Sequence, residues 1–156
     1  MFSELSVIAL LQGCPGSAKS TLAKKIKAVA ELNSLSCEIC SADNYFMKDG
    51  KYEFDSSKLY LAHSYCKYTF EEAVKNGVNW IIVDNTNTDL KSIKHYYTPN
   101  NGYKYTIVRP NTPWYFDAEE CFKKNTHNVP LETIERMINS IKKFSLEEVK
   151  ADILWI

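Results

Sequence analysis

With 156 residues, 45% of them hydrophobic and 24% charged, the chain has the composition of one folded domain with a sizeable core. No apolar run reaches the roughly 20 residues of a membrane-spanning helix, and equal numbers of acidic and basic side chains give a net charge of zero, so any nucleic-acid groove would have to be local. The five cysteines are odd in number and scattered, and Met1 to Glu4 lack a basic leader region; the expectation is an intracellular protein with reduced thiols and no membrane partner.

The apolar run from about residue 5 to 11 reads as a buried strand. It leads straight into Gly13-Cys14-Pro15-Gly16-Ser17-Ala18-Lys19-Ser20-Thr21, and from Lys19 a helix carries Leu22, Ala23, Ile26, Val29 and Ala30 at spacings of three and four toward a sheet. Strand, glycine loop, Lys-Ser-Thr and helix in this order make a phosphate-binding loop. Backbone N–H groups turn inward around an anion, and the positive end of the helix faces the same charge. Gly13 through Thr21 are thus the expected ATP contacts, with Lys19 on the β- and γ-phosphates and the Ser20 hydroxyl on Mg²⁺. Ala18 departs from the GxxxxGK(S/T) pattern, standing where glycine would let the backbone approach phosphate. Cys14 lies where oxidation would block ATP, but a small side chain that fills the loop is the preferred reading.

Residues 37 to 42 read as a short strand that delivers Asp43 to its carboxyl end, the edge where open α/β sheets bind ligands. Cys37 and Cys40 have CxxC spacing but no second pair, and are read as core cysteines. The segment 45 to 54 places Asp49-Gly50 between aromatic-rich arms, as a hairpin does. A long helix follows from about Ser57, with Leu59, Ala62, Cys66, Phe70 and Ala73 on one face and Asn76-Gly77 as its stop. Trp80 to Val83 is a second buried strand, ending at Asp84 and followed by Asn85-Thr86-Asn87. Next come a helix around 88 to 97, a strand from Tyr103 to Val108, a helix from Phe116 to Lys124, a polar stretch before Pro130, a helix from Leu131 to Lys143, and an edge strand from Ala151 to Ile156. Short apolar runs alternating with amphipathic stretches predict an α/β fold with a parallel sheet flanked by helices.

Phosphoryl transfer asks a protein for positioning, charge neutralisation and a carboxylate that receives the acceptor's proton. Asp43 is the candidate base, and Asp84, after four apolar residues, suits a metal-side role; a strand-end turn or a helix cap is the alternative for each. Tyr45 and Phe46 suit base stacking and core packing equally well.

Taken together, the loop Gly13 to Thr21, Ser41-Ala42-Asp43-Asn44-Tyr45, Asp84-Asn85-Thr86-Asn87, Pro113-Trp114 and Lys124-Asn125-Thr126 before Val129-Pro130 resemble, in order and over most of the chain, the polynucleotide 5′-kinase family of phage and eukaryotic repair enzymes. The variants of these motifs look closest to the kinase domain of the Nedd-four-binding-protein-two-like branch. The resemblance implies a P-loop NTPase fold spanning 1–156 with a helical lid at about 123–130. It also implies ATP and Mg²⁺ as cofactors and transfer of the γ-phosphate to a 5′-hydroxyl of DNA or RNA. Carried over by residue, Lys19, Ser20 and Thr21 hold phosphates and Mg²⁺, Asp43 activates the hydroxyl, Tyr45, Phe46, Asn85 and Asn87 lie near the acceptor, and Lys124 is the lid's basic residue. Phe46 stands where the phage enzymes place an acceptor-gripping arginine, and their lid arginine has no match; Lys123, Lys124 and His127 are the available substitutes, without arginine's planar fork. These departures, with Ala18, leave a small-molecule or nucleoside kinase and a weakly catalytic ATP-binding adaptor as alternatives.

Overall fold

Five successive apolar residues stay buried only when both faces of a sheet are covered, and Val7–Leu11 (β1) is buried along its whole length. The computed structural model describes residues 6–156; the leader reading of Met1 to Glu4 and the expected strand start at residue 5 lie outside them. After β1 come α1 (Lys19–Leu32) and β2 (Cys37–Cys40), then a two-strand hairpin of β3 (Met47–Lys48) and β4 (Lys51–Tyr52). The long α2 (Leu59–Lys75) leads to β5 (Trp80–Val83), α3 (Leu90–Lys94) and β6 (Lys104–Arg109), and α4 (Ala118–Lys124), α5 (Leu131–Lys143) and β7 (Ala151–Trp155) complete the chain.

The main sheet runs β2-β5-β1-β6-β7, and every pairing in it is parallel. Alternation along the strands divides the core. Ile8, Leu10, Ile81, Val83 and Ile107 face α2 through Ala62, Cys66 and Phe70, while Ala9, Leu11, Ile82 and Val108 face α1 through Leu22, Ala23 and Ala30. Cys37 and Cys40, three residues apart on a strand, therefore join opposite clusters. Burial pushes their thiols up to about 11 and about 12, so both are packing groups rather than a chelating pair. A third cluster, Cys14, Cys121, Ile134 and Ile138, fastens α4 and α5 over the loop after β1.

Helix α2 ends as Asn76-Gly77 predicts: Gly77 takes φ 68°, and the N–H groups of Gly77 and Val78 return to the carbonyls of Val74 and Ala73. The hairpin turns at Asp49 and Gly50, both at positive φ. Two expectations need correction. Val29 is 59% exposed, because the buried stripe of α1 runs through Leu22, Ala23 and Ala30 instead. Tyr45 and Phe46 are not in a hairpin arm but in a 3-10 turn, Ala42–Phe46, that lifts off the end of β2.

Candidate active site

The loop between β1 and α1 is pinned from three directions. The Gly13 N–H donates to the Thr86 carbonyl at 3.1 Å, the Trp114 indole N–H to the Gly16 carbonyl at 3.0 Å, and the Tyr115 hydroxyl to the Gln12 carbonyl at 2.7 Å. Gln12 is itself buried, held by Arg109 Nε on its Oε1 at 2.8 Å and donating to the Asn87 carbonyl at 2.9 Å. The loop glycines are required by close approach: a Cβ on Gly13 would lie 2.5 Å from Ser17 Oγ, and one on Gly16, at φ 85°, would lie 2.0 Å from the Cys121 carbonyl oxygen. Ala18 adopts φ 81° and ψ 24°, left-handed backbone that favours glycine.

Helix α1 begins after Ala18, which offers no side-chain cap, and the Leu22 N–H donates to the Ala18 carbonyl at 3.1 Å to close the first turn. The N–H groups of Lys19, Ser20 and Thr21 lie N-terminal to that bond, at the helix end that binds anions. Among the described residues, the Ser17 hydroxyl is buried with no hydrogen-bond partner. An uncapped helix start, a cradle that a Cβ would fill and an orphaned hydroxyl together fit a phosphate-bearing ligand. The Ser20 hydroxyl donates to Asp84 Oδ2 at 2.8 Å, joining α1 to the end of β5; oxygen donors of this kind suit Mg²⁺. Lys19, Ser20, Thr21, Asp84, Asp43 and Lys124 line one cavity of about 310 Å³. Lys124 reaches it from the end of α4, its Nζ 4.7 Å from the Trp114 ring centre and 3.5 Å from Glu120 Oε2.

Both oxygens of Asp43 are engaged from other elements. The Tyr52 hydroxyl donates to Oδ1 at 3.1 Å, and His127 Nδ1, from the segment between α4 and α5, lies 3.4 Å from Oδ2. The two rings stack, 3.9 Å apart and 10° from parallel. Burial, and then the charge of Asp43, raise the Tyr52 phenol above its ordinary range, so it stays a donor. The Asp43 side chain nevertheless keeps about half its surface, 52%, open to solvent. On its far side a second cavity of about 720 Å³ opens, and Asp43, Asn85, Thr86 and His127 border both.

Of the expected acceptor residues, the fold turns two inward. Phe46 is 2% exposed, edge-on to Phe54 and Tyr52. Asn87, at φ 46°, is likewise buried, its amide donating to the Leu11 carbonyl at 2.7 Å. Asn85 borders the site but serves the turn beneath it: its Oδ1 accepts the Ala42 N–H at 3.0 Å and its Nδ2 donates to the Tyr96 hydroxyl at 3.2 Å. Tyr45 packs between Phe46 and Tyr65 and lines neither cavity. Hydrogen bonding with Cys121, followed by burial, keeps the Cys14 thiol protonated far above the ordinary thiol range, so this loop cysteine is a packing group. Sequence reasoning missed Gln12, Arg109 and Tyr115 as loop supports, and Tyr52 and His127 as partners of Asp43; a polar Gln directly after a buried strand was the one local signal.

Residues 8–144 match the model of a protein family described as AAA domain. The chain is 35% identical over 140 residues to human NEDD4-binding protein 2, covering 88% of this chain, and 24% identical over 143 residues to the 2′,3′-cyclic-nucleotide 3′-phosphodiesterase of Rattus norvegicus, covering 90%. It spans 8% of the length of the human protein and 32% of the rat one. Among solved structures, a gluconokinase from Sinorhizobium meliloti 1021 superposes with a TM-score of 0.54 at 12% identity, over 97% of this chain and 83% of that one. A structure of the PezAT chromosomal toxin-antitoxin system of Streptococcus pneumoniae superposes with a TM-score of 0.53 at 16% identity, over 96% and 68%. These two likenesses concern the fold. Among the described residues, no helix is long and apolar enough to cross a membrane.

Proposed function

Because the chain belongs to the AAA domain family, as a kinase-like P-loop domain, we propose that it is an ATP- and Mg²⁺-dependent polynucleotide kinase that phosphorylates the 5′-hydroxyl of DNA or RNA. The observation that carries this reading is the placement of a half-exposed carboxylate, Asp43, on the wall between the Lys19–Ser20–Asp84 cavity and a second cavity large enough for an acceptor. The rat relative is named for a cyclic nucleotide, which supports an acceptor built from nucleotides.

In this reading the backbone of residues 13–21 and the start of α1 bind the ATP phosphates, and Lys19 neutralises charge on the β- and γ-phosphates. Ser20 and Asp84 would hold Mg²⁺, which supplies further charge neutralisation when bound. Asp43 accepts the proton of the 5′-hydroxyl as that oxygen attacks the γ-phosphorus; the bond to the bridging oxygen breaks and ADP leaves with the electron pair. A small-molecule or nucleoside acceptor is the second reading, favoured by the burial of Phe46, which leaves no cation at that position.

The test is transfer of labelled γ-phosphate from ATP with Mg²⁺ to 5′-hydroxyl DNA and RNA oligonucleotides and to free nucleosides. The expected result is labelling of the oligonucleotides, lowered about 100-fold or more in kcat by Asp43→Asn with ATP binding kept, as for loss of a general base. Lys19→Ala should lose ATP binding and labelling together. Full activity in Asp43→Asn removes the base assignment, and labelling of nucleosides alone selects the second reading.

A further inference from the structure

The two cavities that meet at Asp43 differ in charge. The ATP-side cavity is lined by Lys19 and Lys124, whereas among the described residues no lysine or arginine lines the second one. The ionisable groups among the described residues of its wall are Asp43, His63, His127 and the phenol of Tyr52, which burial holds above its ordinary range. The rest of the wall combines the neutral polar side chains of Asn85, Thr86, Thr126 and Asn128 with apolar ones from separated parts of the chain: Phe54 beyond the hairpin, Leu59 at the start of α2, Val129 before α5 and Met137 on α5. Phe54 and Leu59 stay 54% and 43% exposed, so two large apolar side chains of this wall are open to a ligand.

The aromatic groups are also ordered. His127 lies flat on Tyr52, and Phe54 lies within 12° of the Tyr52 plane with ring centres 6.3 Å apart. Three rings with nearly common orientation make a platform for another flat ring. In this cavity a polynucleotide phosphate would meet the carboxylate of Asp43 and, among the described residues, no lysine or arginine. A nucleobase would meet ring faces and methyl groups.

We infer, on the basis of the kinase reading above, that this cavity takes the terminal nucleoside of the acceptor by its base, and that the strand's phosphates contribute little to recognition. The specificity of the site then lies in the first unit, whose 5′-hydroxyl reaches Asp43, and the rest of the strand lies outside. A cavity of about 720 Å³ has the size of an ordinary small-ligand site.

The experiment measures kcat/KM for three 5′-hydroxyl acceptors: a dinucleoside monophosphate, a strand of about 20 nucleotides, and the same strand with an abasic sugar at its 5′ end. Each is run at about 50 and about 200 mM salt, since a single strand held through three phosphates would lose about 20-fold over that range. The expected result is a dinucleotide within about threefold of the long strand, a salt effect below about threefold for both, and a loss of about tenfold or more for the abasic end. Phe54→Ala should raise the acceptor KM by a similar factor and leave the KM for ATP unchanged, because base stacking on one aromatic ring commonly carries an effect of this size. Efficient transfer to the long strand with steep length and salt dependence, and an abasic end as good as a natural one, overturns this inference and leaves the kinase reading standing. No transfer to any 5′-hydroxyl acceptor, with ATP bound, overturns both.

Discussion

Ala18 holds a conformation that costs an L-residue about 1 to 2 kcal/mol relative to right-handed backbone. Glycine would remove that cost but lose more entropy on folding, roughly 0.5 to 1 kcal/mol. Ala18→Gly is therefore expected to stabilise the protein by about 0.5 to 1 kcal/mol and to tighten ATP, since the loop no longer resists the shape that binds phosphate. Urea unfolding and ATP titration check this, and a fall in stability would mean that the tight turn before α1 is not strained. At the same scale, Asn87 shows how a residue suited to left-handed backbone becomes structural. At φ 46° its amide closes on the Leu11 carbonyl and its own carbonyl accepts from Gln12, so it ties the end of β5 to the end of β1.

Among elements, the informative meeting is that of hairpin and lid on one carboxylate. Tyr52 comes from β4 and His127 from the segment between α4 and α5, and they reach Asp43 only because both elements fold back over the carboxyl ends of β1, β2 and β5. In the proposed reaction, a base held from both sides would present one orientation to the acceptor, so loosening it should lower the chemical step and not nucleotide binding. Tyr52→Phe keeps the ring stack and removes one hydrogen bond to a charged group. It is expected to lower kcat about 5- to 10-fold with the KM for ATP unchanged, and combining it with His127→Gln should be non-additive. Additive losses would show that the two residues act separately. The sequence was most readable where a local rule applies: the loop and helix from Gly13, the Gly77 stop of α2, the Asp49-Gly50 turn, and the aspartates just beyond the ends of β2 and β5. It was silent on the supports that depend on topology. Trp114 to Gly16 and Tyr115 to Gln12 join residues 98 and 103 positions apart, and no period or propensity carries such a pairing.

At the scale of the molecule, two of the three apolar clusters cover the faces of the sheet, and the third connects the loop after β1 with α4 and α5. Gly16 lies against the Cys121 carbonyl, and the Trp114 indole bonds the Gly16 carbonyl, so the loop is joined directly to α4 and to the segment before it. A ligand that orders the loop is therefore expected to order α4 and α5 as well. By mass action, a non-hydrolysable ATP analogue with Mg²⁺ at about 100 times its Kd should stabilise the folded state by about 2.7 kcal/mol. For a domain of this size that is a Tm increase of about 5 to 10 °C. Hydrogen exchange is expected to slow across residues 13–21 and in α4 and α5 together, while the edge strand β7 is protected only through the global gain. Lys19→Ala should remove both effects. Slowing confined to residues 13–21, with α4 and α5 unchanged, would show that the cluster joining loop and lid is packing without coupling.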